Sequence, residues 1–433
     1  LTGVAPAFGP QAVPPEAVVQ LLTDDTDLIV PLAVGEPRSV LDAVEATAAA
    51  GEIDGVRVHQ MHALVDRGYL DGRYGDRLRH ISYFLSAVTR RHFHEGGIEL
   101  VPAHFSEVPH LLRHAVRRPL IVAASSLPDR HGYFSLGTNA DYVGRFLGTW
   151  PVFLEANEHM PRTFGHNTIH ISQVSGWCRA DLPLIEVEPA EPDAIDRSIA
   201  GLVAERIPDR ATIQAGIGSI PNAVLASLRG HKDLGVHTEL FSDGFVDLVE
   251  SGVVNGVHKR RHSNRSVTTF ALGTRRLYDF LDGNPVVELL AVDWVNDPRV
   301  IAQEPRMVSI NATTEVDVLG QAASETIAGR YWSGSGGQAD FARGAMFSEE
   351  GSAFLVTRST TRDGRSRIVS CLTPGSVVTT LKNTVDKVVT EWGVAELRGA
   401  SLAQRAERLV AIAHPDHRER LAAEARALGY LRG

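Results

Sequence analysis

Along the chain, short apolar runs rich in β-branched residues alternate with longer stretches whose apolar positions return every three to four residues. Residues 27–34, 119–124, 152–154, 212–215, 307–311 and 354–357 have the character of strands. Residues 40–50, 195–207, 223–228 and 402–413 have the character of helices, and in the last of these Leu402, Ala406, Leu409, Val410 and Ala413 share one face. Strands separated by amphipathic helices predict an α/β fold, with parallel sheets covered by helices.

Three features of the first half recur in the second at nearly one offset. IVPLAVGEPRSVLDAV from Ile29 resembles IQAGIGSIPNAVLASL from Ile213, 184 residues later. VRVHQM matches LGVHTE, with His59 and His237 178 residues apart, and the strand from Ile121 is matched 187 residues later by the strand from Val308. Constant order and spacing predict two similar open α/β domains in tandem, 1–190 and 191–433, with the seam in EVEPAEPDAID. The copies differ at Glu239, which aligns with the Met61 region of the first copy, so the second copy is expected to be catalytic and the first a partner wall.

Several motifs of the second copy carry chemistry. GIGSIP, with Gly216, Ile217 and Gly218, follows a strand and opens a helix, so its backbone N–H groups favour negative charge at the helix start. A dinucleotide fingerprint needs a third glycine near Pro221 and an acidic residue after a second strand, and neither is present. SGSGGQ places Gly334, Gly336, Gly337 and Gln338 in a segment where backbone can approach a ligand closely. HTELFSDG sets Glu239 at a strand end, and VTEWG does the same for Glu391; two such carboxylates fit acid and base work. HKRRH, around Lys259, reads either as a solvated loop or as a phosphate contact for an anionic cofactor. HLLRH has His110 and His114 at helical spacing but lacks the adjacent Glu of a zincin and a third ligand, so no metal is expected.

Composition narrows the classes. A net charge of −9 gives no general attraction to nucleic acid or acidic membrane. Cys178 and Cys371 stand far apart with no paired spacing, so neither a disulfide framework nor a zinc knuckle is indicated. No apolar run has the length of a membrane span, and the first residues lack the pattern of a signal peptide, so the chain reads as cytoplasmic. It begins at Leu1 rather than Met, which leaves room for a trimmed upstream segment.

Taken together with SLPDRHGYFSLG, EANEHMPRTFG, SINATTEVDVLGQ and AIAHPDHRERL, these motifs resemble the acetyl-CoA hydrolase/transferase family over nearly the whole chain. These are the class I CoA-transferases that act on 4-hydroxybutyrate, butyryl and succinyl groups. The resemblance implies an active site between the two domains, with Glu239 as the catalytic carboxylate. It implies backbone oxyanion donors at Ile217 and Gly337, with Asn296 and Glu391 next to the substrate. Gly216, Gly218, Gly334, Gly336, Gln338 and Lys259 are then expected against coenzyme A. CoA is substrate and covalent intermediate, and no permanently bound cofactor is expected.

The chemistry so implied is acyl-CoA:carboxylate CoA transfer on short acids of the acetate, butyrate or 4-hydroxybutyrate type, through an acyl-glutamyl anhydride and a glutamyl-CoA thioester. The alternative in the same site is acyl-CoA hydrolysis. A non-catalytic CoA-binding protein is the remote alternative, opposed by the intact Glu239, glycine loops and Glu391. Expected partners are an acyl-CoA, a short-chain carboxylic acid and a second copy of the chain in a homodimer. Lys387 and Trp392 stand where the family often has tyrosine, and Trp392 adjoins Glu391, which bears on the choice of acid.

Overall fold

The structure, a computed structural model, describes residues 8–432. Two compact units emerge: the chain up to Val187 with Val267–Val295, and Glu188–Ser266 with the chain from Asn296 onward. A single cut after residue 190 therefore misses one excursion, in which the chain returns to the first unit for Val267–Val295. Backbone bonds hold that segment there, with the N–H groups of Ala140 and His166 donating to the carbonyls of Thr269 and Leu289, each at 2.9 Å.

The first unit is built on a seven-stranded parallel sheet. Its strands are β1 (Thr26–Ile29), β2 (Val56–Gln60), β3 (Leu78–Ser82), β4 (Ile98–Leu100), β5 (Arg118–Ser125), β6 (Val152–Asn157) and β7 (Gly176–Ala180), in the order β7-β6-β5-β1-β2-β3-β4. Helix α1 (Arg38–Ala50) follows β1 and ends at Gly51 in the left-handed conformation. The run 27–34 leaves the sheet after Ile29; Val30, Leu32, Ala33 and Val34 are buried in the loop that follows. Burial without strand pairing is what periodicity alone cannot distinguish.

The second unit has helices α2 (Ala194–Ala204) and α3 (Ser219–Ser227) and a sheet of β8 (Thr212–Ala215), β9 (Gly235–Val236), β10 (Met307–Ala312), β11 (Ser352–Val356), β12 (Lys387–Thr390) and β13 (Gly393–Glu396). Their order is β9-β8-β10-β11-β12-β13, parallel except for the β12–β13 hairpin. The sequence β2-β1-β5-β6-β7 in the first sheet is thus repeated as β9-β8-β10-β11-β12 in the second. Register sharpens the repeat: Ile121 lies opposite Ile29, and Val308 opposite Ile213, as the offsets of 187 and 184 require. The histidines are one residue out of step. His59 faces Ile29, but Val236 faces Ile213, so the counterpart of Glu239 is His62 rather than Met61.

Helices α4 (Gln338–Phe347), α5 (Leu402–Ala411) and α6 (Pro415–Ala427) follow later in the second unit. Leu409 and Ile412 join Leu355, Val388 and Leu421 in one apolar cluster, each fully buried aliphatic side chain contributing about 1.5–3 kcal/mol. Leu402 is instead exposed, because it opens α5 directly after its N-cap, Ser401.

Candidate active site

Strand β9 ends at Val236, and the chain continues through His237 and Thr238 to Glu239 at the carboxyl edge of the sheet. Two contacts fix this exit. The Lys259 ammonium donates to the carbonyls of Val236 at 2.8 Å and Arg265 at 3.0 Å, and the Thr238 hydroxyl donates to the Leu240 carbonyl at 3.0 Å.

The Glu239 carboxylate meets two donors. Asn296 Nδ2 lies 2.7 Å from Oε2, and the Gly337 N–H donates to the same carboxylate. Gly337 is the residue that opens α4, so the positive end of that helix faces the carboxylate. A Cβ at Gly337 would stand 1.9 Å from Glu239 Oε2 and 2.2 Å from Asn296 Nδ2, so only glycine allows this approach. Asn296 is fully buried, and its Oδ1 has no hydrogen-bond partner among the described residues. It precedes the short helix Pro298–Ile301, where Ile301 packs onto Gly344 of α4 and brings Asn296 to the start of that helix. Burial pushes the Glu239 carboxyl up to about 7, against the opposing pull of its bonds to Asn296 and Gly337. The result is an unusually basic carboxylate held by two donors.

The loop 216–218 leaves β8, the neighbour of β9, and so emerges beside the Glu239 strand. Gly218 has φ 135°, a conformation that only glycine adopts easily, and α3 begins behind it with no side-chain cap. Ile217 is 54% exposed at the loop tip, whereas Gly216 packs on Asn311. Beneath it, Gln214, Ser309 and Asn311 form a buried hydrogen-bonded network across β8 and β10.

The first unit closes its corresponding position. Glu155 of β6 accepts from the backbone N–H groups of Arg38, Ser39 and Val40 at 3.1, 2.6 and 3.3 Å, filling the N-terminus of α1 with an internal carboxylate. By strand register its counterpart in the second unit is Leu355, which carries no charge to fill the corresponding position.

The other expected site residues also belong to the second unit. Lys259 is 5% exposed with its ammonium on carbonyls, and the rest of the basic run is engaged as well: Glu304 accepts from the N–H groups of Arg260 and Arg261, and Arg260 pairs with Glu349. Lys259 therefore braces the Glu239 strand rather than presenting charge at the surface. The Gln338 side chain is turned inward, donating to Ser324 and Thr380. Gly334 and Gly336 lie in the loop before α4, tied down by Ser335 on Glu325 at 3.2 Å. Glu391 occupies the β12–β13 turn, where Ser359 donates to it through N–H at 2.9 Å and hydroxyl at 2.5 Å. Strand β12, which carries Glu391 at its end, belongs to the same sheet as β9.

The acetyl-CoA hydrolase/transferase N-terminal domain model matches residues 11–195, and the corresponding C-terminal domain model matches residues 273–425. The chain is 42% identical to the succinyl-CoA:cyclohexane-1-carboxylate CoA transferase of Geobacter metallireducens over 96% of its own length and 94% of the relative's. It is 40% identical to the 4-hydroxybutyrate coenzyme A transferase of Clostridium kluyveri, over 94% and 95% of the two chains. The crystal structure of RipA from Yersinia pestis superposes with a TM-score of 0.91 at 34% identity, covering 97% of this chain and 98% of RipA.

Proposed function

The chain belongs to the acetyl-CoA hydrolase/transferase family, and on that premise we propose that it is an acyl-CoA:carboxylate CoA-transferase with Glu239 as nucleophile. The observation that carries this reading is the carboxylate of Glu239, desolvated and held by Asn296 and the Gly337 N–H. A carboxylate raised to about 7 is a stronger nucleophile than one in water, and its conversion to a neutral acyl derivative removes a buried charge.

In the first step a Glu239 oxygen attacks the thioester carbonyl. The C–O bond forms, the C–S bond breaks, and CoA leaves as thiolate with the electron pair, giving a mixed anhydride. The thiolate then attacks the Glu239 carbonyl carbon and expels the donor acid as carboxylate, leaving glutamyl-CoA. An acceptor carboxylate reverses both steps, yielding its own CoA ester and restoring Glu239. Every attack on the Glu239 carbonyl places negative charge on its oxygen, and Asn296 Nδ2 and the Gly337 N–H, which already bond this carboxylate, are the proposed donors to it. The Ile217 N–H is the donor proposed for the oxyanion on the substrate carbonyl. Short acids of the acetate, butyrate or 4-hydroxybutyrate type are the proposed acceptors.

Transfer is expected to exceed hydrolysis, because the anhydride and thioester must outlive the exchange of one acid for another. Acyl-CoA donors assayed against a carboxylate panel, following new CoA esters beside free thiol, test this. Ester formation with ping-pong kinetics is expected. Thiol release at one rate with and without acceptor, and no new ester, would instead make the chain a hydrolase.

A further inference from the structure

In the second unit a cavity of about 390 Å³ opens among the strand Glu315–Asp317, the hairpin around Gly364 and helix α6. The hairpin is closed by the Thr360–Ser366 bridge, and Arg365 and Arg367, two residues apart, both line the cavity, as does Arg420 of α6. Two of these guanidiniums have carboxylate partners: Arg365 pairs with Asp363 and Arg420 with Glu424, each at 2.8 Å. The remaining acid on the wall, Glu315, accepts from the N–H and hydroxyl of Thr373 at 2.7 and 2.6 Å. His417 contacts the Gly364 carbonyl through Nε2 at 2.9 Å.

Arg367 is the exception. Among the described residues its Nε is buried without a hydrogen-bond partner, and Nη1 reaches the Thr357 hydroxyl at the outer limit of 3.5 Å. The charged group that acts on it is another cation, Arg358, whose own charge is met by Asp193 at 3.0 Å and Asp196 at 2.9 Å. Burial and Arg358 together push the Arg367 guanidinium below its ordinary range. A partly buried cation beside another cation, with no acid of its own, is costly unless an anion meets it.

We infer that this cavity is an anion site that takes one phosphate group, with Arg367 as its ionic anchor. Arg365 and Arg420 each keep guanidinium donors beyond those given to Asp363 and Glu424, since the group carries five N–H bonds. Three arginines on one cavity suit the three terminal oxygens of a phosphate monoester better than the two of a carboxylate. The phosphate comes either from the nucleotide end of CoA, which rests on the transferase reading, or from a separate phosphorylated metabolite, which does not.

The test is calorimetric binding to the full chain at low salt, with inorganic phosphate, 3′-phosphoadenosine 5′-phosphate, CoA and dephospho-CoA as probes. R367M is expected to weaken phosphate probes by about tenfold or more without lowering the melting temperature, and R367K to weaken them less. If CoA loses affinity in R367M while dephospho-CoA does not, the source is the 3′-phosphate of CoA. If both bind R367M as they bind the parent chain while inorganic phosphate is lost, the source is a separate ligand. Parent-like binding of every phosphate probe by R367M, or no binding of any by the parent chain, overturns the proposal. None of these readings requires turnover, so a failure of acyl transfer leaves the anion site tested on its own.

Discussion

Glu239→Gln is expected to lose CoA transfer by about 10⁴-fold or more and yet to be more stable than the parent chain at pH 8. The loss follows from removing the nucleophile while keeping the shape of the side chain. The gain follows from linkage. Glu239 titrates near 7 when folded, against an ordinary value of 4.5, so between these values the folded chain holds a proton that the unfolded chain has released. Stability from this group is complete below about pH 4.5, declines as pH rises through 7, and stays lower above it. A shift of this size corresponds to about 3 kcal/mol. Glutamine carries no such loss, so the melting temperatures of variant and parent should converge toward pH 4.5 and separate by pH 8. Parent activity should change in the opposite sense, rising with pH through about 7 as the attacking carboxylate forms. Thermal melts and initial rates across pH 5–8.5 check both limbs; a parent chain at least as stable as the variant at pH 8 would contradict them.

Gly337→Ala is expected to lower transfer by about 10²–10³-fold, comparable to the loss of one oxyanion donor. Its φ of −99° suits alanine, so backbone strain is not the cause. The new methyl would stand 1.9 Å from Glu239 Oε2 and 2.2 Å from Asn296 Nδ2, and one of the three must move. Either the carboxylate leaves its donors or α4 shifts. Steady-state kinetics should show the loss in kcat for every acyl-CoA, because the displaced group belongs to the enzyme and not to an acyl pocket. Near-normal kcat with a raised KM for one acyl chain would assign Gly337 to substrate selection.

Much of the second unit was legible in the sequence because each signal was local. Residues 212–215 form a strand of the expected extent, and the glycine turn and helix follow in order. The repeat was legible because two similar sheets impose similar spacing, and its single error, the one-residue slip at His59 and His237, arose where only two residues of β9 pair. Site residues divided by how their roles are encoded. Glu239 and Gly337 stood in conspicuous motifs, whereas Asn296 entered through family resemblance, since a buried asparagine between two short helical turns has no periodic signature. The network of Gln214, Ser309 and Asn311 has no signature in the sequence, because buried polar residues in a strand look like ordinary alternation. Lys259 and Gln338, expected against coenzyme A, both bond inward: residue type shows what a side chain can bind, while tertiary packing decides which way it points. Lys259 needed two backbone carbonyls within reach to be drawn inward, and those come from Val236 and Arg265.

The most direct measurement is to trap the covalent intermediate. The chain is incubated with an acyl-CoA and no acceptor acid, treated with borohydride to reduce any glutamyl thioester to the alcohol, digested, and mapped by mass spectrometry. Reduction at Glu239, dependent on acyl-CoA and absent in Glu239→Gln, is the expected result. Reduction at Glu391 instead, or unmodified Glu239 in a preparation that transfers CoA, would contradict the assignment of the nucleophile.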